Sequence, residues 1–275
     1  MSAASILRVS VIITTFNNPR GLSFTLAGLR RQTVVPLELL IADDGSGDDT
    51  KRVIDEARAS FPCPIRHVWQ PRDGFRKCTI LNRAVLEAAG EYLVFFDGDC
   101  VPMRGAIAAH LHAARRNRYV TGGKVLLSRE VSDALTMDDV VRGRLNGFGA
   151  WWFSTKRARR LMISRLPGIR FLFDRNVPRL PGWRGENAST FREHVLHVAG
   201  FDERFTYGYE DADFGHRLEC AGVLGYSIRY TSPVVHLEHE RSYVSPEIIA
   251  GNKKLYDENR ALKMTVTPHG IREKA

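Results

Sequence analysis

Asp97 and Asp99, spaced by Gly98, close the stretch Glu91–Cys100, EYLVFFDGDC. Two carboxylates so placed are hard oxygen donors of the kind that hold Mg²⁺ or Mn²⁺ against a diphosphate. They follow Tyr92–Phe96, an unbroken apolar and aromatic run that reads as a fully buried parallel strand. Ligands of open α/β sheets bind just outside the carboxyl ends of strands. An ordinary acidic turn has the same spelling, so the pair gains meaning only from its neighbours.

Those neighbours exist. Thr14 and Thr15 end a β-branched run at Arg8–Thr15, and Asp43-Asp44-Gly45-Ser46 follows a second run at Leu37–Ala42. Hydroxyls, a carboxylate for a base or ribose edge, and a metal-binding pair make a nucleotide-diphosphate site in outline, although the second segment is also built of common turn formers. Asp73-Gly74-Phe75-Arg76-Lys77 follows a third run. Arg76 or Lys77 there offers charge for phosphate, with Asn82 one turn further on as a weaker candidate. Glu210 and Asp211 open a helix after a glycine- and aromatic-rich loop. They either complement the helix dipole or supply a general base for a hydroxyl nucleophile. His236 and His239, in His236-Leu237-Glu238-His239, offer imidazole to a metal or form a surface pair; the spacing is not that of a HExxH zinc protease. His110 and His112 read as solvated positions of a helix.

The elements that must carry these residues alternate. Strands at Arg8–Thr15, Leu37–Ala42, Ile65–Trp69 and Tyr92–Phe96 are separated by helices running from Asn17 to about Gln32, over Lys51–Ser60, and over Cys78–Ala89. This rhythm predicts a Rossmann-like, mostly parallel α/β sheet with helices on both faces. Beyond residue 100 the pattern loosens. Helices are expected over Met103–Arg116, Glu210–Ala221 and Pro246–Lys263, with strands over Tyr119–Leu127, Gly225–Arg229 and Pro233–His236 and a partly helical His194–Phe205. Residues 1–100 thus read as a nucleotide-sugar-binding half and 101–275 as an acceptor-binding, catalytic half of one compact unit. Trp151–Pro178 mixes Trp151, Trp152, Phe153, Phe171 and Phe173 with seven Lys or Arg and one acid, Asp174. It reads as a solvated basic loop, an interfacial segment for anionic lipid, or a surface for a phosphorylated acceptor.

The net charge of +9 calls for an anionic partner. No recognised base-reading motif is present, so nucleic acid is not expected. No apolar run approaches the roughly 18–20 residues of a membrane span, and the N-terminus lacks the pattern of a signal peptide. Cys63, Cys78, Cys100 and Cys220 are scattered, as expected of reduced thiols. A cytoplasmic protein is expected, with peripheral contact at the inner membrane face as the alternative that the basic segment opens.

Taken in order, SVIITTFNN, LLIADDGSGDDT, DGFRKCTILNRAV, GEYLVFFDGDCVP, GFDERFTYGYEDADFGHRL and VVHLEH resemble the inverting GT-A glycosyltransferases of family 2. The second half is also similar to the C-terminal region of the galactosyltransferase and chondroitin-polymerase type. The resemblance implies a metal site at Asp97 and Asp99, with His236 or His239 as a late ligand. It implies base recognition by Asp43 or Asp44, a nucleotide pocket lined by Thr14, Thr15, Phe16 and Gly98, and nucleotide contact by Arg76. Asp211 becomes the catalytic base and Glu210 an acceptor ligand. Gly185-Glu186-Asn187-Ala188 falls where the family holds the donor sugar, with Trp183 beside it. The implied activity is Mn²⁺- or Mg²⁺-dependent transfer from a nucleotide sugar, UDP-linked, to a glycan or glycolipid in cell-surface polysaccharide or lipopolysaccharide synthesis. A non-catalytic scaffold of the same fold would be expected to lose the carboxylate pairs. A sugar-phosphate nucleotidyltransferase would need a glycine-rich basic loop where this chain has TTFNNPRG.

Overall fold

In β1 (Val9–Thr15), Val9, Val11 and Ile13 alternate with Ile12, and both sets are buried in separate clusters. A strand whose two faces are both apolar belongs in the middle of a covered sheet. The computed structural model of the chain describes residues 7–145, 172–174, 182–238 and 245–272. In it β1 lies between β2 (Glu38–Asp43) and β4 (Tyr92–Asp97), and β2 is flanked by β3 (Ile65–Trp69); all these pairs are parallel. The connecting helices are α1 (Pro19–Arg30), α2 (Asp48–Arg58) and α3 (Lys77–Glu87). Asn18 caps α1 by accepting from Gly21 N at 2.9 Å, with Pro19 in the first turn.

Beyond β4 the sheet becomes mixed. After β5 (Cys100–Pro102), α4 (Ala106–Ala113), β6 (Arg118–Leu126), α5 (Arg129–Ala134) and α6 (Met137–Val141) come β7 (Asn187–Phe191) and α7 (Arg192–His197). The chain continues through α8 (Glu210–Cys220), β8 (Leu224–His236) and α9 (Pro246–Ala261). The strand order is β3-β2-β1-β4-β7-β6-β8-β5, with β7 antiparallel to both neighbours. The mostly parallel expectation therefore holds: the first four strands are parallel, β6 and β8 pair in parallel, and β7 and β5 bring in the antiparallel pairings. Sequence reading misses β7, NASTF, because three of its five residues are polar, yet all five are buried. Their polarity is satisfied internally. Asn187 donates to the carbonyls of Gly123 and Ser232, and Ser189 Oγ lies 2.7 Å from both Tyr92 Oη and His110 Nδ1. His110 is consequently buried, not solvated; burial pushes its imidazole down to about 4 and keeps it neutral. The two short strands expected near the C-terminus form the single strand β8, with a register irregularity opposite Gly122 and Gly123.

Helix α8 carries Glu210 and Asp211 and is fixed from below. Arg217, 0% exposed, donates to Asp213 Oδ2 at 2.7 Å and to the carbonyls of Val198 and Gly200, while Asn259 of α9 donates to Asp213 Oδ1. Removing one member of a buried ion pair strands the other's charge. Arg217→Met is therefore expected to lose about 3–5 kcal/mol of unfolding free energy in urea titrations. The double variant Arg217→Met/Asp213→Asn is expected to lose less than the two single variants summed.

Candidate active site

Because β1, β2 and β4 run parallel, their carboxyl ends meet at one rim, where Thr14 stands opposite Asp97 and Thr15 opposite Asp43. The rim opens into a cleft of about 940 Å³ whose far wall is the start of α8. Thr14 Oγ1 donates to Asp97 Oδ1 at 2.6 Å, and Lys77 Nζ reaches the same oxygen at 3.0 Å. Gly98 N bonds the Thr14 carbonyl at 2.7 Å; a Cβ on Gly98 would lie 2.7 Å from that carbonyl oxygen, so the turn between the two aspartates accepts only glycine. Asp99 leads into β5, which pairs with β8 so that Cys100 stands opposite His236. His236 Nε2 lies 3.7 Å from Asp99 Oδ1. Asp99, Cys100 and His236 each bring a ligand atom within 4.8 Å of the others.

Across the cleft, Asp211 Oδ2 accepts from Gly185 N at 2.9 Å. Its other oxygen, Oδ1, is buried and has no hydrogen-bond partner among the described residues. Burial pushes the Asp211 carboxyl up to about 8; Lys77 opposes the shift, and Glu210, Glu186 and Asp97 add to it. Burial also raises Glu210. Lys77 is held protonated: the carboxylates of Asp97, Asp211 and Glu210 outweigh the effect of its burial. Lys124 of β6 pairs with Glu186 at 3.1 Å and likewise stays charged against its burial.

Of the sequence-derived candidates, Thr14, Thr15, Phe16, Asp44, Asp97, Gly98, Asp99, Trp183, Glu186, Glu210, Asp211 and His236 all line this cleft. Of the two base-site aspartates it is Asp44 that reaches it, tied to Gln70, Arg72 and Arg76 N. Asp43 lies behind, 1% exposed, accepting from Ser46 N and paired with His67. The Arg72 guanidinium sits 3.8 Å above the Phe16 ring and donates to Asp44, bracing both cleft residues from behind.

Three candidates stand elsewhere. Arg76 turns its guanidinium to the Pro71 carbonyl and Asp73, and Lys77 takes the cleft position. Asn82 is a buried clamp that exchanges hydrogen bonds with the Phe201 backbone and donates to Glu203. Asn187 points into the sheet, where it also accepts from His110 Nε2 at 2.9 Å. His239 lies outside the described residues, as does the basic aromatic segment 150–180 apart from residues 172–174. There Asp174 accepts from Tyr230 N and Thr231 N of β8. Sequence reasoning missed Lys124, Arg184, Tyr207 and Tyr209 as cleft residues. Only Lys124 left a signal, a lone cation in the apolar run VTGGKVLL.

A mixed α/β sheet is shared by many functions, and the class of enzyme comes from comparison with known proteins. The family model described as glycosyl transferase family 2 matches residues 10–176. The chain is 25% identical over 283 residues to an uncharacterized glycosyltransferase, YfnE, of Bacillus subtilis (strain 168), covering 90% of this chain and 69% of that one. It is 27% identical to validoxylamine A glucosyltransferase of Streptomyces hygroscopicus subsp. limoneus, covering 86% of this chain and 52% of the relative. A Pasteurella multocida hyaluronan synthase is 27% identical over 76% of this chain, which spans only 22% of that much longer protein. Among solved structures, the mannosyltransferase PcManGT from Pyrobaculum calidifontis, in complex with GDP-Man and Mn²⁺, superposes with a TM-score of 0.59 at 20% identity, covering 87% of this chain and 59% of that one. GalNAc-T7 with UDP, GalNAc and Mn²⁺ gives a TM-score of 0.64 at 17% identity, covering 93% and 48%. The fold is GT-A. The chain is a glycosyltransferase, and it belongs to glycosyl transferase family 2.

The raised Asp211 carboxyl predicts a pH-dependent cost to the fold. In the unfolded chain the group titrates near 3.9, whereas in the folded chain it titrates at about 8. Its contribution is fully present below the unfolded value and is lost as pH rises toward the folded one. In metal-free buffer above about pH 8, Asp211→Asn is expected to melt at a higher temperature than the parent, with the gap closing as pH falls toward about 4. A scan of Tm against pH for both proteins checks it.

Proposed function

We propose that the chain moves a sugar from a nucleoside-diphosphate sugar, UDP-linked, to a hydroxyl of a glycan or glycolipid acceptor with inversion at the anomeric carbon, in cell-surface polysaccharide or lipopolysaccharide synthesis. The observation that carries this reading is a single cleft in which the rim carboxylates Asp97 and Asp99 face Asp211, whose buried Oδ1 has no partner among the described residues. The relatives and structural neighbours support it: validoxylamine A glucosyltransferase and hyaluronan synthase by name, and the two solved structures by the GDP-Man, UDP and Mn²⁺ they hold.

The donor set fits a divalent cation. Asp99 and His236 present oxygen and nitrogen within 4.8 Å, a combination suited to Mn²⁺, with Asp97 beside them and His239 close in sequence. A cation bound there would neutralise the departing diphosphate. The chain's own residues do the remainder. Phe16 and Asp44, braced by Arg72, frame the base, and Thr14 and Thr15 line the way to the phosphates. Lys77 and Lys124 hold positive charge beside the leaving group. Trp183, Arg184 and Glu186 flank the donor sugar, and Glu210 positions the acceptor. Asp211 Oδ1 accepts the proton of the attacking hydroxyl while the new C–O bond forms and the bond to the diphosphate breaks. A carboxyl raised by burial to about 8 is a stronger base than a solvated one once ionised, which favours that proton transfer at alkaline pH. Asp174 is tied to β8, and the basic aromatic composition around it suits an anionic acceptor or membrane surface.

Two measurements test this reading. Asp211→Asn is expected to lower kcat for transfer by at least about 10²–10⁴-fold, with UDP binding in Mn²⁺ retained by calorimetry; normal turnover would remove Asp211 from its role. Asp99→Ala is expected to lose the Mn²⁺-dependent part of UDP affinity, and calorimetric titrations that match the parent with and without Mn²⁺ would refute the cation's place.

A further inference from the structure

Cys100 has no part in the transfer reading and does not line the cleft, yet it touches two residues that do. It is the first residue of β5, 0% exposed, and pairs across the antiparallel ladder with His236. Its Sγ lies 3.4 Å from Asp99 Oδ1, which in turn lies 3.7 Å from His236 Nε2. A tetrahedral zinc ion with Zn–S of about 2.3 Å, Zn–N of about 2.05 Å and Zn–O of about 2.0 Å needs S···O and N···O edges of about 3.5 and 3.3 Å. The two separations match those edges to within about half an ångström, and all three ligand atoms lie within 4.8 Å of one another. The trio is also rigid. Leu237 N bonds the Asp99 carbonyl at 3.0 Å, and the β5–β8 ladder fixes the other two backbones.

We propose that Asp99, Cys100 and His236 form a site for thiophilic divalent ions of the zinc class, distinct in its ligands from the hard-ion site because it adds a thiolate. Soft sulfur favours zinc-class ions, whereas Mg²⁺ keeps to oxygen. Binding forms the metal–sulfur bond and releases the thiol proton to solvent. Among the described residues the trio supplies three ligands, two of which, Asp99 and His236, line the cleft. Because Asp99 and His236 are common to both sites, zinc excludes Mn²⁺ and inhibits transfer. That competition rests on the proposed function; the zinc site itself does not.

Co²⁺, a spectroscopic substitute for Zn²⁺, is titrated into the metal-free full chain, and Zn²⁺ affinity is measured by calorimetry. The parent is expected to show a near-ultraviolet sulfur-to-cobalt charge-transfer band. Cys100→Ser and Cys100→Ala are both expected to lose it, with Zn²⁺ affinity at least about tenfold weaker. Cys220 faces His216 at 3.5 Å on α8, so Cys220→Ser serves as the control and is expected to keep the band. Absence of the band in the parent, its loss in Cys220→Ser, or equal Zn²⁺ affinity in the parent and in both Cys100 variants that retain the parental melting profile would overturn the site. Failure of the parent to bind UDP with Mn²⁺ while the cobalt band persists would overturn the transfer reading and leave the zinc site standing.

Discussion

The structure depends on a repulsion. Asp97, Asp99, Glu186, Glu210 and Asp211 face one cleft, and Lys77, Lys124 and Arg184 are the Lys and Arg among its described lining residues. In a partly desolvated space these carboxylates oppose one another strongly. Burial is the main cause of the upward shifts of Asp211 and Glu210, and the neighbouring carboxylates add to it. Such a cleft is held together by the surrounding fold, and cationic or proton-bearing ligands relieve it. In the proposed function the same excess of negative charge supplies both a place for a divalent ion and a base.

The surrounding fold is arranged to hold that charge. Parallel register places Thr14 against Asp97, and the Thr14 hydroxyl and Lys77 together fix one carboxylate oxygen. The opposite wall is fixed by α8, whose Asp213–Arg217 pair is locked to α9 by Asn259 and to the chain before it by Arg217. Asn252 of α9 donates to Thr206 and to the Tyr207 carbonyl, holding the loop that leads to Glu210. Gly208 and Tyr209 both take positive φ in that loop, the conformation that turns the chain into the helix and brings Glu210 and Asp211 to the cleft. The C-terminal helix thus acts on the site without lining it.

The sequence made the first half of the molecule readable because its strands carry both-faced apolar runs and end in chemically distinctive residues. Thr14, the Asp43-Asp44 pair, Asp97 and Asp99 could be singled out for that reason, whereas Glu210 and Asp211 drew notice as paired acids at a helix start. What escaped was polarity buried by long-range partners. The strand NASTF has the composition of a loop, and only the hydrogen bonds of Asn187 and Ser189 to β6, β8 and α4 make it a core strand. Asn82 and Arg76 were misleading for the same reason: a side chain in a conspicuous motif can serve the backbone. The choice between Arg76 and Lys77 depends on which face of the first turn of α3 meets the cleft, and residue type alone does not say.

The central claim is that the rim carboxylates and His236 grip a cation that meets the nucleotide opposite Asp211. Anomalous diffraction from crystals grown with Mn²⁺ and UDP tests it most directly. The account predicts a manganese peak between the Asp99 carboxylate and the His236 ring, with the diphosphate in the cleft beside Lys77. A manganese peak elsewhere, or UDP bound on another face while Asp97 and Asp99 remain without metal, would contradict it.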